Sequence, residues 1–338
     1  LGCVPDQLVF TSGGTESNNW AIIGAALRCR ELNPDKNHIV TSAVEHPSVD
    51  EVCKFMQKEL GFEVTFVPVD STGMIDVQAF EQSLSDRTSL VTVMHANNET
   101  GTIQPIARLA DIAKAKGDIL VHTDAAQTLG KIPCNVDDLK VDLLSVCSHK
   151  FYGPKGIGAL YIRPGVHLKK FMHGAGHERG WRAGTENVLE MIGLSVALES
   201  AYNNLEQNRK HLEATRSIIH EKLIEALGAD NVHLNGHPTE RLPSTLNVSL
   251  RRSAADPWAV ANKVLADIGE QVCASAGSAC HSGSVSISPV LQAMQVPQDI
   301  ALGALRLSTG KYLTERDAAT AADFVIAVIQ NAPNQTKC

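Results

Sequence analysis

Short apolar runs alternate with helix-period patterns through the first two-thirds of the chain, and this alternation constrains the fold more than any other feature. The apolar runs fall at 8–11, 38–42, 63–67, 89–95, 119–123, 143–147 and 158–162. Helical patterns fit between them, at 17–30, 48–59, 77–83 and 106–116. Strands separated by helices predict βαβ units and a mostly parallel sheet covered on both faces. Open sheets of this kind bind ligands beyond the carboxyl ends of their strands. The polar residues that close each apolar run are therefore the first candidates for function.

A long helical stretch at 188–226 leads into a different pattern, with strands at 244–250 and 305–308 and helices at 258–268 and 315–330. A chain of 338 residues is long for one core. We therefore expect a large α/β domain over 1–207 and a smaller α+β domain over 208–338. Thirty basic and 37 acidic residues give a net charge of −7 with no basic run, which argues against nucleic acid as a partner. No apolar stretch approaches the ~18 residues that span a bilayer. Eight cysteines without CxxC pairs are neither a disulfide framework nor a zinc ribbon, and no metal site is expected. They suit a reducing compartment, the cytoplasm or an organelle. The chain begins at Leu1 rather than Met and enters a strand-like run almost at once, so the natural protein is expected to start earlier.

Lys150 is the most informative of the strand-end residues. It follows the apolar run in Ser145-Val146-Cys147-Ser148-His149-Lys150-Phe151-Tyr152-Gly153-Pro154. An amine held at a strand end can attack a carbonyl, and the aldehyde of pyridoxal phosphate is the candidate. Asp124 closes the run in Val121-His122-Thr123-Asp124, where a carboxylate is costly unless paired. A pyridinium nitrogen is one such partner, and the cap of the next helix is the other reading. The turn Thr11-Ser12-Gly13-Gly14-Thr15-Glu16-Ser17 lies between strand and helix, where free N–H groups at Gly14 and the Thr15 hydroxyl suit a phosphate. Asn98, in His95-Ala96-Asn97-Asn98-Glu99, could bond a phenolic oxygen, and His46, in Val44-Glu45-His46-Pro47, is flat enough to stack on a pyridine ring. A Gly-rich polar loop at 174–187 suits anion binding. Cys280 sits among small residues, Ala276-Gly277-Ser278-Ala279-Cys280-His281, as a thiol that a loop could deliver. A metal site built from Cys273, Cys280 and His281 fails on spacing. Arg306, within Leu305-Arg306-Leu307-Ser308, needs an anion, and its fork suits an α-carboxylate.

Taken together, these segments resemble the NifS-like cysteine desulfurases and their siblings, the selenocysteine lyases, from the TSGGTES turn to the LRLSTGK strand. The resemblance implies a fold-type I pyridoxal phosphate enzyme with a seven-stranded, mostly parallel sheet. It implies that Lys150 carries the cofactor, that His46 stacks on its ring and moves protons, and that Asp124 pairs with the ring nitrogen. It implies that Asn98 and Gln127 meet the ring hydroxyl, that Gly14, Thr15 and His149 hold the phosphate, and that Thr185 reaches the phosphate of the neighbouring subunit in a homodimer. It further implies that Arg306 and Asn98 bind substrate, L-cysteine or L-selenocysteine, and that Cys280 takes the sulfur as a persulfide for an acceptor protein. Cys147 stands where this family carries a phosphate-binding serine, and Ser148 is the expected substitute. Pro47 follows the histidine where selenium-selective lyases have an acidic residue, which favours cysteine. HANNETG, SHKFYGP, GTEN and ACHS look more like the lyase branch. A non-catalytic scaffold that keeps the fold is the remaining alternative.

Overall fold

The computed structural model describes residues 1–276 and 287–331. The chain divides into two compact units. The first comprises Leu1–Val69, Ile75–Asn97 and Gln104–Leu205, and the second Asp70–Met74, Asn98–Ile103 and the chain from Glu206 onward.

The first unit is built on strands β1 (Leu8–Thr11), β2 (His38–Ser42), β3 (Glu63–Val67), β4 (Thr88–Thr92), β5 (Leu120–Asp124), β6 (Leu143–Cys147) and β7 (Gly158–Ile162). They form one seven-stranded sheet in the order β1-β7-β6-β5-β4-β2-β3. β7 runs antiparallel to both of its neighbours, and the remaining pairs are parallel. The expected mostly parallel sheet is therefore present. Helices α1 (Gly14–Leu32), α2 (Pro47–Leu60), α3 (Val77–Ser83), α4 (Ile106–Lys116) and α5 (Val188–Asn203) belong to the same unit. Side chains alternate across the strands and feed two separate cores. Val40, Val91 and Leu144 pack with α4 residues such as Leu109. Their chain neighbours Ile39, Leu90 and Leu143 pack with Trp20 and Ile22 of α1 and with Met56 of α2. Burial on both faces explains why these strands read as continuous apolar runs.

The second unit holds α6 (Leu205–Leu227), β8 (Val232–Leu234), β9 (Thr245–Leu250), α7 (Ala261–Ile268), β10 (Ser275–Ala276), α8 (Pro289–Ala293), α9 (Gln298–Ala301), β11 (Leu305–Ser308) and α10 (Glu315–Asn331). Its four strands form an antiparallel sheet in the order β10-β11-β9-β8. Leu223, Val248, Leu250, Leu305, Val264 and Val325 make its core.

Three elements differ from the sequence expectation. The stretch at 188–226 is two helices, because the Asn204 side chain turns back to the Ser200 carbonyl and competes with helical pairing. β4 stops at Thr92, and the Met94 N–H that follows is taken by the Glu45 carboxylate. Helix α7 starts at Ala261, not 258, because the Ala259 N–H bonds to the Leu250 carbonyl at 2.7 Å instead of entering a helical turn.

Candidate active site

The strand order sets β6, β5, β4 and β2 side by side, so their carboxyl ends form one row in the first unit. Asp124 is the last residue of β5 and is 6% exposed. One of its oxygens accepts from Asn18 Nδ2 at 2.8 Å, and the other accepts from the Ala126 N–H at 2.8 Å. Both donors are neutral, and no ion pair to Asp124 forms among the described residues. A buried carboxylate so held has room for one cationic partner. On the next strand, β6 runs into a 3-10 turn, Ser148–Phe151, whose His149 and Lys150 are exposed. Tyr152 closes that turn at φ 70°.

His46 caps α2 at the end of β2. Its Nδ1 accepts from the Ser48 N–H at 3.1 Å and lies 2.8 Å from Ser48 Oγ. Partial desolvation holds the imidazole below its usual pKa, Asp124 pulls it up, and Lys150 pushes it down. Just before it, Glu45 is buried, and its carboxyl accepts from Ser42 Oγ and the Met94 N–H. Burial pushes Glu45 up to about 8, with Asp124 and Asp50 adding to the shift. Glu45 thus titrates near 8 in the folded protein and in the ordinary carboxylate range, about 4.5, when unfolded. Between these values the folded state holds more protons, so stability falls as pH rises, by at most about 1.4 kcal/mol per unit. Glu45→Gln mimics the protonated acid. Urea denaturation should find it level with the wild type near pH 5 and progressively more stable toward pH 8. A stability gap that does not change with pH would show that Glu45 is ionised throughout.

Gly13 and Gly14 open α1 at its N-terminus. Gly13 sits at φ 151°, and β7 can pass it because Gly158 has no side chain: a Cβ there would come within 2.8 Å of the Gly13 backbone. At Gly14 a Cβ would lie 3.2 Å from the Cys147 Cβ. The Cys147 thiol is raised by burial and lies 3.3 Å from His149 Nδ1, while His149 itself is lowered by desolvation and by Lys150 and Lys155. Thr15, in the first turn of α1, is exposed. Ser148 is fully buried and its Oγ faces Gly153, where an added Cβ would approach to 2.1 Å. Gln127 Oε1 is 3.5 Å from the Lys131 amine, which burial and the Lys150 charge press down to about 8. Thr185 is exposed on a loop fastened to α1 by the bidentate pair between Arg182 and Glu16, at 2.8 and 3.0 Å.

Asn98 and Arg306 belong to the second unit. Arg306 Nη1 donates to the Asn98 carbonyl at 3.0 Å. Asn247, its register partner on β9, donates to the Glu99 carbonyl at 3.1 Å, and Ser288 Oγ donates to Glu99 Oε2 at 2.6 Å. Cys280 lies outside the described residues. The sequence reading missed Asn18, Ser48 and Glu45. Their only signal was polarity in the first turns of two helices and beside His46.

The first unit thus offers an amine, a buried carboxylate and a helix N-terminus that opens on two glycines. These are the contacts that the aldehyde, ring nitrogen and phosphate of pyridoxal phosphate need. Residues 2–320 match the family model of class-V aminotransferases. The chain belongs to the class-V aminotransferase family. The chain is 43% identical over 331 residues to the cysteine desulfurase IscS of Dictyoglomus turgidum, covering 98% of this chain and 81% of that protein. Among solved structures it is similar to a NifS-like protein, with TM-score 0.87 and 36% identity over 97% of this chain and 84% of that one. It is also similar to SspA in complex with cysteine, with TM-score 0.76 and 35% identity over 92% and 84% of the two chains. The expected NifS-like, fold-type I architecture is borne out. Among the described residues no helix is long and apolar enough to cross a membrane.

Proposed function

We propose that this protein is a pyridoxal phosphate-dependent cysteine desulfurase that converts L-cysteine to L-alanine. The observation that carries the reading is the pairing of a buried, cation-seeking Asp124 with the exposed amine of Lys150 at the ends of adjacent strands β5 and β6. A scaffold would have no use for either. The names of the similar cysteine desulfurase and of the cysteine complex point to the same substrate class.

When bound, pyridoxal phosphate supplies an electron sink that weakens the bonds at the substrate's α-carbon. Lys150 would hold it covalently, Asp124 would keep its ring nitrogen protonated, and His46 would stack on the ring. Gly14, Thr15 and His149 would hold the phosphate, with Thr185 contributed from a partner subunit, while Gln127 and Asn98 would meet the ring hydroxyl. The Ser148 hydroxyl is turned toward Gly153, so we assign the phosphate to Gly14, Thr15 and His149 first. Arg306 would pair with the substrate carboxylate in a charge-assisted fork. Lys150 then moves the α-proton. The Cys280 thiolate attacks the substrate sulfur, the Cβ–S bond breaks, and its electron pair stays with Cβ, which takes up a proton to become alanine. Cys280 keeps the sulfur as a persulfide for an acceptor protein.

A homodimer is part of this reading. Its support is the start of α5, immediately after the Thr185 loop, where Val188, Leu189, Ile192 and Val196 are 58–78% exposed on neighbouring turns. All six cysteines within the described residues are unpaired, which supports a cytoplasmic setting.

The test is product analysis with L-cysteine and L-selenocysteine side by side, on the wild type and Cys280→Ala. A thiol leaves carbon poorly, so direct transfer to an enzyme thiolate lowers that barrier. We expect Cys280→Ala to lose alanine formation from L-cysteine while keeping bound cofactor and part of its selenocysteine turnover. Full cysteine turnover in that variant would remove the persulfide step. Turnover of L-selenocysteine alone by the wild type would assign the chain to selenocysteine lyase instead.

A further inference from the structure

Two side chains, Ser48 and Asn18, link His46 to Asp124, and the Ser48 backbone N–H fixes the direction of the hydrogen bonds along the chain. Asp124 Oδ2 is an acceptor, so the Asn18 atom 2.8 Å away must be its amide nitrogen. That nitrogen has a second hydrogen, and Ser48 Oγ lies 2.8 Å from it. Ser48 Oγ accepts there, so its own hydrogen is free for His46 Nδ1 at 2.8 Å. The Ser48 N–H is aimed at the same Nδ1 from 3.1 Å. Two donors converge on one ring nitrogen, which must therefore be bare. Asn18 is 1% exposed and comes from α1, Ser48 comes from α2, and Asp124 ends β5, so three elements fix the chain.

We infer that Asn18 and Ser48 are positioning residues that lock His46 in the Nε2–H tautomer and tie it to the Asp124 carboxylate, so that every proton His46 gives up in the reaction leaves from Nε2. This rests on the roles proposed above for His46 and Asp124. The relay also explains why a polar Asn is kept inside a helix otherwise packed with Trp20, Ile22 and alanines. The charged groups acting on the His46 ring are Asp124 from β5 and Lys150 from the turn after β6, and the test leaves both in place.

The test is long-range proton–nitrogen NMR on histidine-labelled full-length chain, with and without pyridoxal phosphate, with His46 assigned by loss of its signals in His46→Gln. The wild type should show the Nε2–H form. Ser48→Ala removes one donor that favours the bare nitrogen, so the His46 pKa should rise by about half a unit to one unit. With the cofactor loaded, kcat should fall several-fold at unchanged KM. Ser48→Thr keeps a hydroxyl and should restore both. Asn18→Ala should shift the ring in the same direction by less, because the Ser48 hydroxyl stays. An Nδ1–H ring in the wild type overturns the inference, as does an unmoved pKa in Ser48→Ala of unchanged circular dichroism. An Nε2–H ring in a protein that makes no alanine from L-cysteine would sink the functional reading and leave the hydrogen-bond relay standing. An Nδ1–H ring in an active enzyme would do the reverse.

Discussion

Lys150→Ala is expected to lower alanine formation from L-cysteine by at least about 10³-fold while leaving the fold intact. The two halves of this expectation have different causes. Lys150 is exposed on a 3-10 turn and is in no ion pair among the described residues, so trimming its side chain removes no structural contact. Far-ultraviolet circular dichroism and the melting temperature should match the wild type. The loss is chemical, since this is the amine proposed to anchor the cofactor and to move the α-proton. Borohydride reduction separates Lys150 from its neighbour. Mass spectrometry of the wild type should find the reduced cofactor on the peptide bearing Lys150, and in Lys150→Ala on no peptide. Label on Lys155, or on the half-buried Lys131 whose amine is pressed down to about 8, would move the covalent role to that residue.

The fold was legible because its central strands are buried on both faces. Runs such as Ile39-Val40 and Leu143-Leu144 send successive side chains into two different cores, and the polar residues within the strands, such as His122 and Ser145, are buried and bonded to each other. The same rule exposed Asp124, His46 and Lys150, polar groups at the points where apolar runs stop. What failed to show were groups defined by distance along the chain. Asn18 meets Ser48 across 30 positions and Asp124 across 106, and each looks by itself like an ordinary residue in a helix's first turns. Glu45 was hidden beside His46, because nothing in a sequence says that the next Met94 N–H will need its carboxyl. Asn98 read as one more strand-end residue of the large sheet. It folds instead with the second unit, where Arg306 holds its carbonyl and the adjoining Gly101 carbonyl accepts from the Leu242 N–H. Local pattern finds strands and their ends, whereas pairings between helices and loops depend on a tertiary arrangement that no short window contains.

Asp124→Asn is expected to cost about 10²–10³-fold in turnover, the consequence of leaving the ring nitrogen proposed to pair with it without its carboxylate. The substitution changes charge without changing shape, so sterics cannot supply the loss. One oxygen of the new side chain can still accept from the Ala126 N–H, 2.8 Å from the present carboxylate. The other position becomes an amide nitrogen and faces Asn18 Nδ2, donor against donor, at the present 2.8 Å. Asn18 has a way out, because its own Oδ1 is buried without a partner. By turning over, its side chain presents that oxygen to the new amide, while its own amide nitrogen moves to the buried position where Oδ1 has no partner. The variant should therefore fold, with a stability loss within about 1–2 kcal/mol by urea denaturation. The turnover of Asn18 has a second effect. Its oxygen now also faces Ser48 Oγ, which donates to it and no longer to His46 Nδ1. A single substitution at Asp124 should thus appear at His46 as a raised pKa, smaller than that expected for Ser48→Ala because the carboxylate that favoured the charged ring has gone. Loss of that charge acting alone would lower the pKa. The sign of the change at His46 therefore decides whether the hydrogen-bond chain or the Asp124 charge governs the ring, and a fall would mean that the charge outweighs the chain.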